Sequence, residues 1–200
     1  MLLLLATAMW GMSFPIIKAI RSDFYCENSS EISKSASYVF LRFGIVFLIY
    51  FLWVFVWKKE GKLSRQEFLV GSVIGVMGGV GMLLQGDSLA YTDPGTCAFI
   101  TQMGCIWVPL VAFLRGRRAI TPFFTFALLC GFLGLFLLSG FDPSRFTLGR
   151  GEMETLLASL FFSVQIITLE SRRWRDYINL KSTCLMFFYF TAGTFLCLSC

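Results

Sequence analysis

The stretch FLVGSVIGVMGGVGMLLQGDSL, residues 68–89, decides the class of fold. It runs 22 residues with a single charge, Asp87, held back to its last turn. A helix crossing the hydrocarbon core of a bilayer needs about 20 predominantly apolar residues. The segment therefore predicts a membrane span. Gly71, Gly75 and Gly79 fall at steps of four, with Gly78 and Gly81 beside them. One helix face is thereby stripped of side chains, which predicts close approach of a neighbouring helix.

The same ruler, moved outward, gives six more candidate spans: 1–20, 38–57, 95–114, 120–140, 153–169 and 183–200. Composition agrees with them. Apolar residues make up 56% of the chain and charged residues 14%, where soluble domains carry about 25% charged residues. The expected fold is an all-α membrane protein, a polytopic helical bundle with about seven spans present. Alternation over ten-residue segments is absent, so a transmembrane barrel is not expected. The first span lacks the positive amino-terminal region and cleavage site of a signal peptide. Trp10-Gly11 and Pro15 inside it suit a resident helix with a local bend. The sixth carries Ser159, Ser163, Gln165 and Thr168 and is expected to face other helices rather than lipid.

The chain has no histidine. That removes Ser-His-Asp triads, Cys-His dyads, haem-histidine ligation and histidine zinc sites together. No glycine-rich phosphate loop follows a strand. An enzyme is not expected, nor a cofactor or a metal. Six of the seven cysteines lie in spans and the number is odd, which argues against a secreted disulfide framework. Cys197 and Cys200 have redox-motif spacing but sit in an apolar run, where helix packing explains them.

The formal net charge of +5 is a topology signal. Lys58, Lys59, Lys62 and Arg65 follow the second span; Arg115, Arg117 and Arg118 follow the fourth; Arg172, Arg173, Arg175 and Lys181 follow the sixth. These three loops hold 11 of the 17 basic residues, and the alternate loops hold 5. Basic residues are retained on the cytoplasmic side, so the amino terminus is expected to be cytoplasmic. A nucleic-acid partner is not expected. Trp53 and Trp57 fit the interfacial belt at the cytoplasmic end of the second span.

Leu4-Leu5-Ala6-Thr7 aligns with Leu156-Leu157-Ala158-Ser159 at an offset of 152 residues. Five spans separate the two copies, so they enter the membrane from opposite sides, as in inverted-repeat transporters. The stretch Trp10-Gly11-Met12-Ser13-Phe14-Pro15-Ile16-Ile17-Lys18 resembles the first-helix motif of EamA-type drug/metabolite transporters. Leu41-Arg42-Phe43 resembles the arginine motif of their second helix. Ala90-Tyr91-Thr92, Pro109, Thr121-Pro122 and Gly149-Arg150-Gly151-Glu152 extend the likeness over essentially the whole chain. The resemblance implies a carrier built from two five-helix repeats with both termini cytoplasmic. Residues 1–148 would be the first repeat and 149–200 the first two helices of the second. Because the seventh run reaches Cys200 without a polar flank, the chain is expected to be a fragment or to complete its bundle from elsewhere. A second copy or a partner protein would then supply the missing helices. One departure from the family is Leu114-Arg115-Gly116-Arg117-Arg118, where its members often carry an acidic residue.

Arg42 lies four residues into the second span, and Lys18 at a comparable depth in the first. Snorkelling to the interface is one reading of each. The other is a cationic outer cavity that attracts a carboxylate or phosphate, because intramembrane charges mark functional sites. Gln85, Gln102 and Gln165 lie within spans three, four and six, as interhelical hydrogen-bond donors or substrate contacts. Trp10 and Trp107 are candidates to pack in the core or to stack on a planar ligand. The substrate-binding residues expected are Arg42, Lys18, Gln102, Gln85 and Trp10.

None of the 12 acidic residues falls in the middle of a span. Proton antiport through a midspan carboxylate is therefore unsupported, which leaves exchange, facilitated transport or coupling through further helices. The expected function is a permease or exporter of small metabolites in the inner or plasma membrane, working by alternating access. The alternative is a membrane-embedded assembly subunit without transport activity.

Overall fold

The computed structural model describes residues 31–58, 61–116, 121–139 and 149–198, with six positions of the first segment: Leu4, Leu5, Ala8, Gly11, Met12 and Ile16. The described residues form helices and turns and contain no strand. Helix α1 (Glu31–Phe51) continues into a π-helical turn, Leu52–Trp57. Then follow α2 (Arg65–Ser88), α3 (Pro94–Thr101), α4 (Gly104–Leu114), α5 (Pro122–Ser139), α6 (Arg150–Glu170) and α7 (Leu180–Leu198). They correspond to the second to seventh predicted spans, with α3 and α4 sharing the fourth. Val39–Trp57, Arg65–Ser88, Pro94–Leu114 and Arg150–Glu170 are long and apolar enough to cross a membrane. The chain is an all-α membrane bundle.

Helix α2 is the centre of the packing, lying against both α6 and α7. Its glycines make this geometry. A Cβ at Gly71 would lie 2.8 Å from the Ser182 carbonyl oxygen, and one at Gly75 would lie 2.8 Å from Tyr189 Cβ. At Gly78 and Gly81 the collisions would be with Phe190 and Phe162. The predicted bare face is therefore two faces, one taking α7 and one taking α6. Helix α1 packs on α7 by the opposite means, with Phe43 edge-on to Phe190 at 4.8 Å between ring centroids. The α2–α7 contact is sharpened at its start by a capping box. The Ser64 N–H donates to Glu67 Oε2 at 2.6 Å, and the Glu67 N–H donates to Ser64 Oγ at 3.2 Å. Glu67 also accepts from Asn179 and pairs with Lys181 at 3.0 Å.

The bundle is turned inside out relative to a soluble one. Ser88, Thr155, Ser159 and Thr194 are fully buried, while Phe123, Leu129 and Leu137 on α5 are largely exposed. Small hydroxyl residues let helices approach and return their hydrogen bonds to their own backbone, and lipid covers the large apolar groups. Ser163 shows this: its Oγ donates to the Ser159 carbonyl at 2.6 Å. Span six faces its neighbours through Ser159 and Ser163, as its composition predicts.

Span four is not the continuous helix its hydropathy predicts. The chain tightens at Gln102–Met103, where Met103 N donates to Ile100 O and Cys105 N to Gln102 O, both three residues back. Pro109 has no N–H to offer the carbonyl of Cys105, and its ring crowds that carbonyl. Gly104 beside it adds backbone freedom. The helix breaks nearly two turns before Pro109, which itself stays inside α4, and an interruption at membrane depth is tolerated where it lines a cavity.

Candidate functional site

Past that break α4 and α6 flank a cavity. A cavity of about 730 Å³ opens between α4, α5 and α6, with Gln102, Cys105, Pro109, Phe124, Phe162 and Gln165 on its wall. Thr101, the last residue of α3, reaches it as well. The wall is largely apolar with a few amide and hydroxyl groups, the composition of a small-molecule site. It runs on into a vestibule of about 480 Å³, the two sharing Val108, Ala112 and Glu170. Arg115, Arg172 and Arg175 line the vestibule. Lys181 Nζ donates to the Lys62 carbonyl at 3.3 Å, which brings the loops before α2 and before α7 to one end. The described residues of the three basic loops thus share the end at which the vestibule lies, as their alternation along the chain predicts.

At the opposite end the same helices are joined. Arg150 pairs with Asp87 at 2.9 Å and with Glu154 at 2.6 Å, and its guanidinium lies 4.3 Å from the Tyr91 ring centroid. Thr92 Oγ1 donates to Glu152 Oε1 at 2.6 Å. Gly151 sits against the 88–92 turn, where a Cβ would lie 3.0 Å from the Ser88 carbonyl oxygen. Beneath this layer Cys97 Sγ lies 3.4 Å from Ser88 Oγ and 3.7 Å from Thr155 Oγ1, linking α2, α3 and α6. Trp107 Nε1 donates to Ser159 Oγ at 3.3 Å, joining α4 to α6. Phe99 closes the side toward α5, packed edge-on against Phe132 at 5.2 Å.

The predicted site residues divide. Gln102 lines the cavity directly. Gln85 is buried and donates through Nε2 to Thr101 Oγ1 at 2.9 Å, so it meets the cavity wall through Thr101. Arg42 is half-buried on α1 with its guanidinium 5.4 Å from the Phe43 ring centroid, and it is not among the residues lining the cavity. Trp10 and Lys18 lie outside the described residues. The cavity adds Gln165, Thr101 and Cys105 to the site. Gln165 was legible as an amide inside a span. Thr101 and Cys105 carry no sequence signal, because the break in span four is what turns them to the wall. Asp87, Glu152 and Glu170 lie in terminal turns of their helices, and Glu154 one turn further into α6.

Comparison with known proteins supplies the lineage. An Archaeoglobus fulgidus protein described as an uncharacterized transporter is 25% identical over 164 residues, which cover 82% of this chain and 46% of that protein. The chain thus matches less than half the length of this curated relative. No solved structure matches the chain significantly. Residues 1–140 match the EamA-like transporter family. With an all-α membrane bundle around a largely apolar cavity, the chain belongs to the EamA-like transporter family.

Proposed function

We propose that the chain moves small metabolites by alternating access, with residues 1–148 as a first five-helix repeat and 149–200 as the start of a second, inverted one. The observation that carries this reading is the asymmetry of the seam between α3–α4 and α6, bonded at the 89–93 end and open at the basic end. A carrier caught with access to one side has such a seam. In this reading the basic end is cytoplasmic in the inner or plasma membrane, and the cavity faces the cytoplasm. Gln102 and Gln165 orient the ligand, Gln85 holds Thr101 in the wall, and Trp10 contributes from the first span. Arg42 and Lys18 attract charge at the far end. An amino-acid-like, nucleoside-like or aromatic metabolite fits a mostly apolar wall with a few amides.

The test is counterflow of labelled metabolites in proteoliposomes. Uptake against unlabelled internal substrate is expected, and it should fall when Gln102 and Gln165 are both leucine. Folded chain that moves none of these metabolites but forms stable complexes would instead support the assembly-subunit reading. Orientation is read separately with Lys62→Cys in intact cells. Protection from an impermeant external reagent is expected, and labelling would reverse the topology.

A further inference from the structure

Positive residues at a cytoplasmic end are ordinary, but their fate differs within this end. Lys181 is spent on Glu67 and the Lys62 carbonyl. Arg173 lies over the Trp174 ring at 5.1 Å. Among the described residues Arg115, Arg172 and Arg175 make no ion pair, and all three line one cavity whose only acidic wall residue, again among those described, is Glu170. Arg115 comes from the end of α4, the other two from the turn after α6. Retention of basic residues explains which end they occupy and says nothing of why they converge. A guanidinium presents a planar fork of donors matched to carboxylate and phosphate oxygens.

We propose that the vestibule lined by Arg115, Arg172 and Arg175 is a binding site for a carboxylate or phosphate group at the mouth of the apolar cavity. Its transport role rests on the alternating-access reading; its anion affinity does not. A substrate with an anionic head and an apolar body would place the head among the arginines and the body along Val108 and Ala112, the walls common to both cavities. The same chemistry is carried by a soluble substrate and by an anionic lipid headgroup.

Cys105 is exposed on the wall of the inner cavity and is a native reporter. In phosphatidylcholine nanodiscs, its modification by an anionic sulfonate and by a cationic trimethylammonium thiosulfonate is followed on the Cys105 peptide by mass spectrometry. The anionic-to-cationic rate ratio is expected to fall about tenfold when Arg115, Arg172 and Arg175 are all glutamine, the scale on which a charged cleft concentrates counter-ions. The triple lysine variant should keep most of the ratio, and Arg173→Gln, off the wall, should leave it unchanged. A ratio that is the same in the native chain and the glutamine variant, with the lysine variant as folding control, overturns the proposal. Inorganic phosphate slowing the anionic reagent assigns the site to soluble anions. Slowing only in nanodiscs containing phosphatidylglycerol assigns it to a lipid headgroup. An intact ratio in a chain that shows no counterflow would remove the transport reading and keep the anion site.

Discussion

The two ends of the bundle handle the same helices differently. At the 89–93 end, α6 is fastened to the end of α2 and the turn before α3 by an arginine between two carboxylates, a threonine–glutamate bond and a glycine against that turn. At the basic end, α4 and α6 diverge around a cavity, and the charged groups facing it there find no acidic partner among the described residues. Yet at that same basic end α2 and α7 stay locked through Glu67, Asn179 and Lys181. The opening is thus confined to one seam. The lesson is that the bundle has a fixed part, α2 with α7, and a seam, α3–α4 against α6, on which the ends differ.

Four substitutions, two of them with a control, break or sharpen that contrast. The largest effect is expected in the fixed part. Gly75→Leu forces a side chain into Tyr189 and the α7 backbone, an overpacking worth about 1–3 kcal/mol or more. Gly131→Leu points into open space. The first should lose monodisperse protein in detergent and the second should keep it; equal yields would mean that α2 and α7 do not touch as described.

Next comes the closed end. Arg150→Gln removes the group shared by Asp87, Glu154 and Tyr91. Cys97, fully buried beneath it, should become more reactive by about tenfold toward an impermeant thiol reagent, within the usual range of conformational coupling. No change in Cys97 labelling would deny this layer any role in closure. A smaller effect is expected from Gln165→Leu, which strips one amide from the cavity and its contact with Met186 Sδ at 3.7 Å. An interhelical hydrogen bond in a membrane averages only about 0.6 kcal/mol, so the melting temperature should move little, while counterflow should fall because the cavity loses an amide. A shifted melting temperature with normal counterflow would make the residue purely structural.

The smallest concerns Arg42, which is not on the described cavity wall. Arg42→Gln should lower binding of an anionic substrate by about twofold through the long-range field, while Arg145→Gln leaves it unaltered. Equal binding by both variants removes the role assigned to Arg42.

Much of this was open to reading in one dimension, for definite reasons. Span length is set by bilayer thickness, so α1, α2, α6 and α7 were visible in hydropathy. The spacing of Gly71, Gly75 and Gly79 announced close packing because a helix repeats every 3.6 residues. It could not name the partners, and the division of that surface between α7 and α6 appeared only when Gly71 met Ser182 and Gly81 met Phe162. The site was less legible. Gln85 and Gln102 look alike in sequence, two amides within apolar runs. One ended as an interhelical donor to Thr101 and the other on the cavity wall.

What the amino-acid sequence determined alone is the solvent and which loops share an end. Apolar runs of bilayer length demand lipid, and the 11 basic residues in alternate loops assign three loops to one end. The tertiary structure decided which of those charges are spent and which are left to face a cavity. Lys181 and Arg175 count equally in a charge tally. Pairing depends on distances across the fold, and those follow from where the glycine faces of α2 seat α6 and α7 and from the break at Gln102–Met103.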